Sequence, residues 1–168
     1  MALPKTLRNF SLYVDGRGYA GRVTELSPPS LTVMAEEYRG GGMDLPAQID
    51  MGMEALEMEF VLAEYELEVL NLFGLLDQKA VQATIRGALM ANGEDATSIV
   101  YNVTGHIKEF DPGSMVAGEI TEATFLMGLR YYKLTIGGSV VHEIDVENMT
   151  RIINGADQLA SIRSAIGI

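Results

Sequence analysis

The chain has 168 residues, 23 of them acidic and 12 basic, for a net charge of −11, and it contains no cysteine. Its 48% hydrophobic content is that of a globular chain with a core, and the length predicts one domain spanning residues 1–168. The acidic balance argues against a phosphate-neutralising nucleic-acid surface and against anchoring on anionic lipid, while the lack of cysteine removes disulfides and thiolate metal sites.

Alternation with period two dominates the chain and predicts a mainly β protein. Phe10 to Asp15 reads as a short strand, Asp15-Gly16 as a turn, and Tyr19 to Leu26 as the returning hairpin partner. Ser27-Pro28-Pro29-Ser30 then breaks the pairing, because proline cannot donate to a ladder. From Ser30 to Leu62 the pattern predicts two strands and a long connection. Leu31 to Tyr38 is the first strand; the second sets Leu56, Met58, Phe60 and Leu62 against Ala55, Glu57, Glu59 and Val61. The connection from Arg39 to Asp50 is longer than the roughly two to five residues of most hairpin loops. Met43, Leu45, Ile49, Met51 and Met53 would be exposed there unless another surface covers them, which points to a partner.

Glu64 to Leu76 changes period and predicts a helix of about three turns, ended by Asp77-Gln78-Lys79. Three more strands are expected over Ala80 to Met90, Ser98 to Phe110 and Glu119 to Ile136. The last is the longest, and Phe125-Leu126-Met127 and Tyr131-Tyr132 suggest cover on both of its faces. Gly137-Gly138 turns the chain into a strand over Ser139 to Val146. After Asn154-Gly155, Ala156 to Ile166 reads as a short amphipathic helix with Leu159, Ile162 and Ile166 on one side.

Little here carries chemistry. Gly16-Arg17-Gly18-Tyr19-Ala20-Gly21 matches the dinucleotide-binding glycine pattern, but no helix pattern follows it, so the glycines are read as turn residues. His106 and His142 are the only histidines, and His142-Glu143-Ile144-Asp145 lacks the second histidine of a zinc motif, so both are read as solvent-facing strand residues. Glu54, Glu57, Glu59, Glu64, Glu66 and Glu68 suit a solvated face better than an acid–base pair. No catalytic residue, metal site or cofactor is expected. The N-terminus has no signal-peptide core and no window approaches the roughly 20 apolar residues of a membrane span, so a cytosolic chain without a membrane anchor is expected.

Several colinear segments carry a resemblance. Tyr131-Tyr132-Lys133-Leu134-Thr135-Ile136-Gly137-Gly138, His142-Glu143-Ile144-Asp145 with Asn148-Met149, and Ile153-Asn154-Gly155 resemble the contractile-tail major tube protein family of phage tails and R-type bacteriocins. The ending Asp157-Gln158-Leu159-Ala160 to Ile166-Gly167-Ile168 fits as well. Asn9-Phe10, Val14-Asp15-Gly16 and Tyr38-Arg39-Gly40-Gly41-Gly42-Met43 match in the same order upstream. The resemblance implies a β-sandwich or barrel-like tube protomer with one internal and one C-terminal helix, forming stacked hexameric rings around a channel that a contracting sheath drives through a cell envelope. It implies as partners further copies of the chain, a sheath, a baseplate or hub, a tape-measure protein and, in a phage, passing double-stranded DNA without sequence-specific binding. Assembly would take place in the bacterial cytoplasm, the product being a virion tail or a released bacteriocin.

On that implication, Arg39, Gly40, Gly41, Gly42, Met43, Leu45, Ile49, Met51 and Met53 are candidates for contacts between subunits or rings, and Glu57 and Glu59 for the channel wall. Acids facing the channel would repel DNA phosphates, which is lubrication rather than binding. Two other readings stand beside this one: a type VI-like secretion tube, and a monomeric ligand-binding β-barrel or small enzyme with a closed apolar cavity.

Overall fold

A computed structural model describes residues 4–75 and 80–168. Strands β1 (Thr6–Val14), β2 (Arg17–Gly18), β3 (Val23–Ser27), β4 (Val33–Tyr38), β5 (Ala47–Met53) and β6 (Leu56–Leu62) precede the one-turn helix α1 (Leu67–Leu70). Strands β7 (Val81–Met90), β8 (Thr97–Asp111), β9 (Ala123–Ile136), β10 (Ser139–Asp145), β11 (Thr150–Ile153) and β12 (Ala156–Asp157) follow, then helix α2 (Ala160–Ile166). Ten strands form one sheet in the order β12-β11-β10-β9-β8-β7-β1-β2, with β6 joined to β9 and β3 to β6. Among the described residues, strands β4 and β5 pair only with each other.

The long strands β8 and β9 organise this sheet. Along one edge of β9, β6 pairs with Ala123 to Leu129 and β10 pairs with Tyr131 to Ile136, so two strands lie end to end on one neighbour. The β8–β9 ladder has two register shifts: the first, between Thr104 and Gly105, falls where that change of partner occurs, and the second, between Ile107 and Glu109, lies within the part of β9 that β6 covers. Bulges bend a strand and raise its twist. At the first of them the backbones nearly touch: a Cβ on Gly105 would lie 2.0 Å from the carbonyl oxygen of Gly128. Only glycine fits there.

One face of the bent sheet holds the core. Leu12 and Val14 of β1, Leu56, Met58, Phe60 and Leu62 of β6, Val81, Ala83 and Ile85 of β7, and Val103 and Ile107 of β8 are buried together with Phe125, Met127, Tyr132 and Ile144. The alternation of β6 therefore puts its apolar set inside as expected. The opposite face of β9 is only half-buried (Leu126, Tyr131), so the strand is fully covered on one face rather than on both. At 15 residues, β8 is also longer than β9, which has 14.

Three expectations are corrected. First, Tyr19 to Leu26 does not return along β1. Of the returning segment, Arg17 and Gly18 pair with β1 and Tyr19 N–H still bonds Leu12 O (2.8 Å); a turn then follows in which Arg22 N–H reaches Tyr19 O (3.1 Å) and Gly21 has φ +79°. The chain swings away and β3 pairs with β6 instead. Second, residues 30–62 are not a single long-looped hairpin. Strand β5 begins inside the supposed connection and runs past its end to Met53; it takes β4 as its partner and frees β6 for β9. Third, the helix expected over residues 64–76 is one turn, because Gly74 N–H bonds Ile107 O (3.2 Å) and Phe73 bridges to Ile107 in parallel. The positions assigned to the end of that helix, 76–79, lie outside the described residues. The C-terminal helix is real but starts at Ala160, later than expected.

Candidate functional site

Two surfaces merit attention: the β4–β5 hairpin, here the arm, and the polar face of the sheet. The arm's tip is a closed turn. Arg39 Nε donates to Met43 O (3.1 Å), Met43 N–H to Gly40 O (3.2 Å) and Gly40 N–H to Met43 Sδ (3.3 Å). Gly42, at φ +88°, adopts the left-handed backbone that the turn needs. Arg39 and Gly41 are exposed around this turn, and Leu45 just beyond it is 75% exposed. Ile49 and Met51 are exposed on β5, whereas Met53 is half-buried at the arm's root and packs against the core.

Sequence reasoning missed β4's share of this surface, because the alternation of Leu31 to Tyr38 reads as a strand with one face on a core. In the structure all six β4 residues are exposed. The register places Glu36 opposite Ile49 and Tyr38 opposite Ala47, so Tyr38 and Ile49 share one face, while Ala35, Glu37, Gln48 and Asp50 share the other. Met34 and Met51 continue the Tyr38–Ile49 side at two-residue steps. The result is a largely apolar stripe, interrupted by Glu36, on a ribbon with no third strand among the described residues, an arrangement that is marginal in water unless something covers it.

Glu57 and Glu59 lie on the face of β6 away from the core, opposite Gly128 and Leu126 of β9. They flank an open groove of about 540 Å³ that also includes Ser27, Ser30, Thr32 and Glu54. Glu57 is ion-paired with Lys108 of β8, so the charge there is partly balanced. The same side of the sheet continues onto β9 and β10, where Tyr131 Oη donates to Glu143 (2.7 Å) and Lys133 lies 3.8 Å from Glu143. Burial, reinforced by Glu143, pushes the Tyr131 phenol well above its usual range; burial likewise pushes Tyr132 up to about 12. Burial disfavours ionised Asp145, but side-chain and backbone hydrogen bonds from Asn148 outweigh it and hold that carboxyl below its ordinary value.

Glu64, Glu66 and Glu68 are engaged in ion pairs. Arg22 bonds Glu64 (3.0 Å) and Glu66, and Arg17 bonds Glu68. Among the described residues no three His, Asp or Glu side chains converge as a metal site would require. His106 is exposed over Gly128, whereas His142 is half-buried with Nδ1 enclosed and unbonded among the described residues, a departure from its solvent-facing assignment. The glycines of the Gly16 to Gly21 pattern fall in turns and in β2, with no helix after them. An apolar cleft lined by Leu7, Phe10, Leu26, Ile85 and Tyr101 has a volume of about 180 Å³. That is below the roughly 300–1,000 Å³ of small-molecule sites.

Comparison with known proteins agrees along the whole chain. The family model described as phage tail tube protein FII matches residues 4–167. The tail tube protein of Escherichia phage P2 is 33% identical over 172 residues, covering 100% of both chains. The major tail tube protein of Serratia phage KSP20 is 32% identical over 171 residues, covering 100% of this chain and 99% of that one. Among solved structures, the tube-terminating cap of the anti-feeding prophage has a TM-score of 0.62 at 15% identity, over 81% of this chain and 92% of that chain. A chain of the sheath–tube complex of PVC, an extracellular contractile injection system, gives 0.61 at 13%, over 79% and 91%. At such identities these two likenesses establish the fold alone. A mainly β protomer with an apolar, unpaired arm, matched from end to end by tail tube proteins, belongs to the phage tail tube protein FII family.

Proposed function

We propose that this chain is the repeating subunit of the inner tube of a contractile tail, and that the whole chain serves as one tube domain. Six copies close a ring, their sheets join into a continuous barrel around a channel, and rings stack through the arms. A ring has no free sheet edge, which resolves the hazard of the long strands and of the edges at β2 and β12. The role is structural rather than catalytic. A contracting sheath would carry the tube outward, a baseplate would start its growth, and a tape-measure protein and, in a phage, DNA would occupy the channel. The subunit would be made in the bacterial cytoplasm and end in the particle's tail.

The observation that carries this reading is the arm. Tyr38, Leu45, Ile49 and Met51 lie exposed on a two-stranded ribbon that its own protomer leaves uncovered. A heterologous contact, with one patch meeting a different patch on the next copy, generates rings or open filaments. Glu57 and Glu59 are proposed to face the channel, where the Glu59 charge and the part of Glu57 that Lys108 leaves unbalanced, six times over, repel a passing polyanion. Size-exclusion chromatography with light scattering tests the arm directly. The unaltered chain is expected to give hexamers or larger species, and Ile49→Glu with Met51→Glu a folded monomer. A double variant that assembles like the unaltered chain would refute the arm's role.

A further inference from the structure

Apart from the packing of Met53 at its root, the arm is attached to its own body by very little. Its entry through Pro28-Pro29-Ser30 and its exit through Glu54-Ala55 are bridged by one backbone bond, Glu54 N–H to Thr32 O (2.9 Å). Within residues 33–53, the one side-chain hydrogen bond to another element among the described residues is Arg151 Nη2 to Asp50 Oδ2, at 2.8 Å.

Both ends of that bond are held in place. Asp50 Oδ1 accepts Gly52 N–H (2.8 Å), and Gly52 has φ +103°, a bend that residues with a Cβ avoid. The backbone bond from Gly52, followed by the Arg151 guanidinium, holds the Asp50 carboxyl below its ordinary range. Arg151 stands on β11 opposite the buried Ile144, with its side chain only 16% exposed. Its carbonyl accepts Gln158 N–H (2.8 Å), and its N–H donates to Asp157 Oδ1 (3.4 Å). Asp157 in turn bonds Arg163 (2.6 Å), which also donates to Met149 O (2.8 Å). The guanidinium is thus presented by a braced strand to a carboxylate fixed at a glycine bend.

The register gives this bond a direction. Asp50 lies on the polar side of the ribbon with Ala35, Glu37 and Gln48, so a bond from Asp50 to the body turns the Tyr38–Ile49 side outward. We infer that the Arg151–Asp50 pair is a clamp that sets the arm's direction in the free protomer and presents its apolar stripe for docking on a second copy. This rests on the reading of the arm as the contact between copies. Such a half-exposed pair adds little to folding; its effect falls on where the arm points.

The test uses the absence of native cysteine. Asp44→Cys at the arm tip and Ser98→Cys on β8 carry a pair of spin labels, and the distance between them is measured in the dilute protomer. A single narrow distribution is expected with Arg151 and Asp50 in place, a broadened or displaced one with Arg151→Gln, and recovery in the exchanged pair Asp50→Arg with Arg151→Asp. A distribution for Arg151→Gln that overlays the unaltered one would overturn the clamp, as would an equally broad one with the pair intact. Tube growth followed by light scattering should slow about three- to fivefold in Arg151→Gln and recover on exchange; unchanged growth would also overturn it. If the unaltered chain fails to polymerise, the assembly reading fails alone, because the label distances are read in the protomer.

Discussion

Phe60 is the residue whose loss should cost the protomer most clearly. It is fully buried on β6 and stacks on Phe125 of β9, with ring centroids 5.2 Å apart and planes 16° from parallel. Phe110 of β8 lies 5.2 Å from Phe125 on the other side, and Tyr65 meets Phe110 edge-on at 6.3 Å. Phe60→Ala therefore empties one end of an aromatic row that ties three strands together. Burial loss plus the cavity gives about 3–5 kcal/mol for such a change, of which roughly 0.5–1.5 kcal/mol is the ring pair. Against a total stability of about 5–15 kcal/mol, this removes a large share. With a urea slope of about 2 kcal/mol per molar, the midpoint should fall by roughly 2 M. The chain has no tryptophan, so unfolding is best followed by far-ultraviolet circular dichroism on an assembly-deficient background. Val33→Ala, at an exposed arm position, serves as the control and should stay within about 0.5 kcal/mol. A Phe60→Ala loss below about 1 kcal/mol would refute the placement of this ring in a packed core.

Three further predictions concern backbone fit and titration. Gly105→Ala should cost roughly 3 kcal/mol, because its Cβ would meet the Gly128 carbonyl at 2.0 Å, whereas Gly41→Ala, with open space around it, should be nearly neutral in the same urea titration. Asp145 and Asp157 have depressed pKa values, the latter chiefly through Arg163. Their stabilising contribution is thus complete above the ordinary value of 3.8 and is lost as pH falls through the folded values. Thermal midpoints measured below that value should drop less steeply in Asp157→Asn than in the unaltered chain. At the alkaline end, Tyr132 stays protonated to about 12 while an unfolded tyrosine ionises near 10, so stability should fall between those values. The part of the tyrosinate absorbance that Tyr132→Phe removes should then appear together with loss of structure; if that part rose ahead of unfolding, the burial of this phenol would be contradicted.

Strands whose two faces meet different surroundings were legible from alternation alone. Leu56, Met58, Phe60 and Leu62 point inward because each even position of β6 meets the core, and the same holds for Val81, Ala83 and Ile85 on β7. Partner choice was not legible. That β3 pairs with β6 follows from a turn at Tyr19 to Arg22 and from an edge that β6 offers across roughly 35 intervening residues, which no local pattern records. β5 escaped for a related reason. Asp50 and Gly52 interrupt its apolar run, and the strand is held by β4 rather than by a core that would impose clean alternation. The helix was overestimated because the acidic start at Glu64, Glu66 and Glu68 complements a dipole on paper, yet these carboxylates are held by Arg22 and Arg17. Of the proposed assembly residues, the arm's apolar members were visible as unexplained exposure, but the Asp50–Arg151 bond spans 101 positions and required the fold.

Electron cryo-microscopy of the polymer grown from purified chain with a baseplate as initiator tests the tube most directly. A hollow rod of stacked six-membered rings is expected, with each arm's Tyr38–Ile49 side seated on another copy and Glu57 and Glu59 on the channel wall. A protomer that stays single under these conditions, or a rod in which the arm lies free in solvent, would contradict this arrangement.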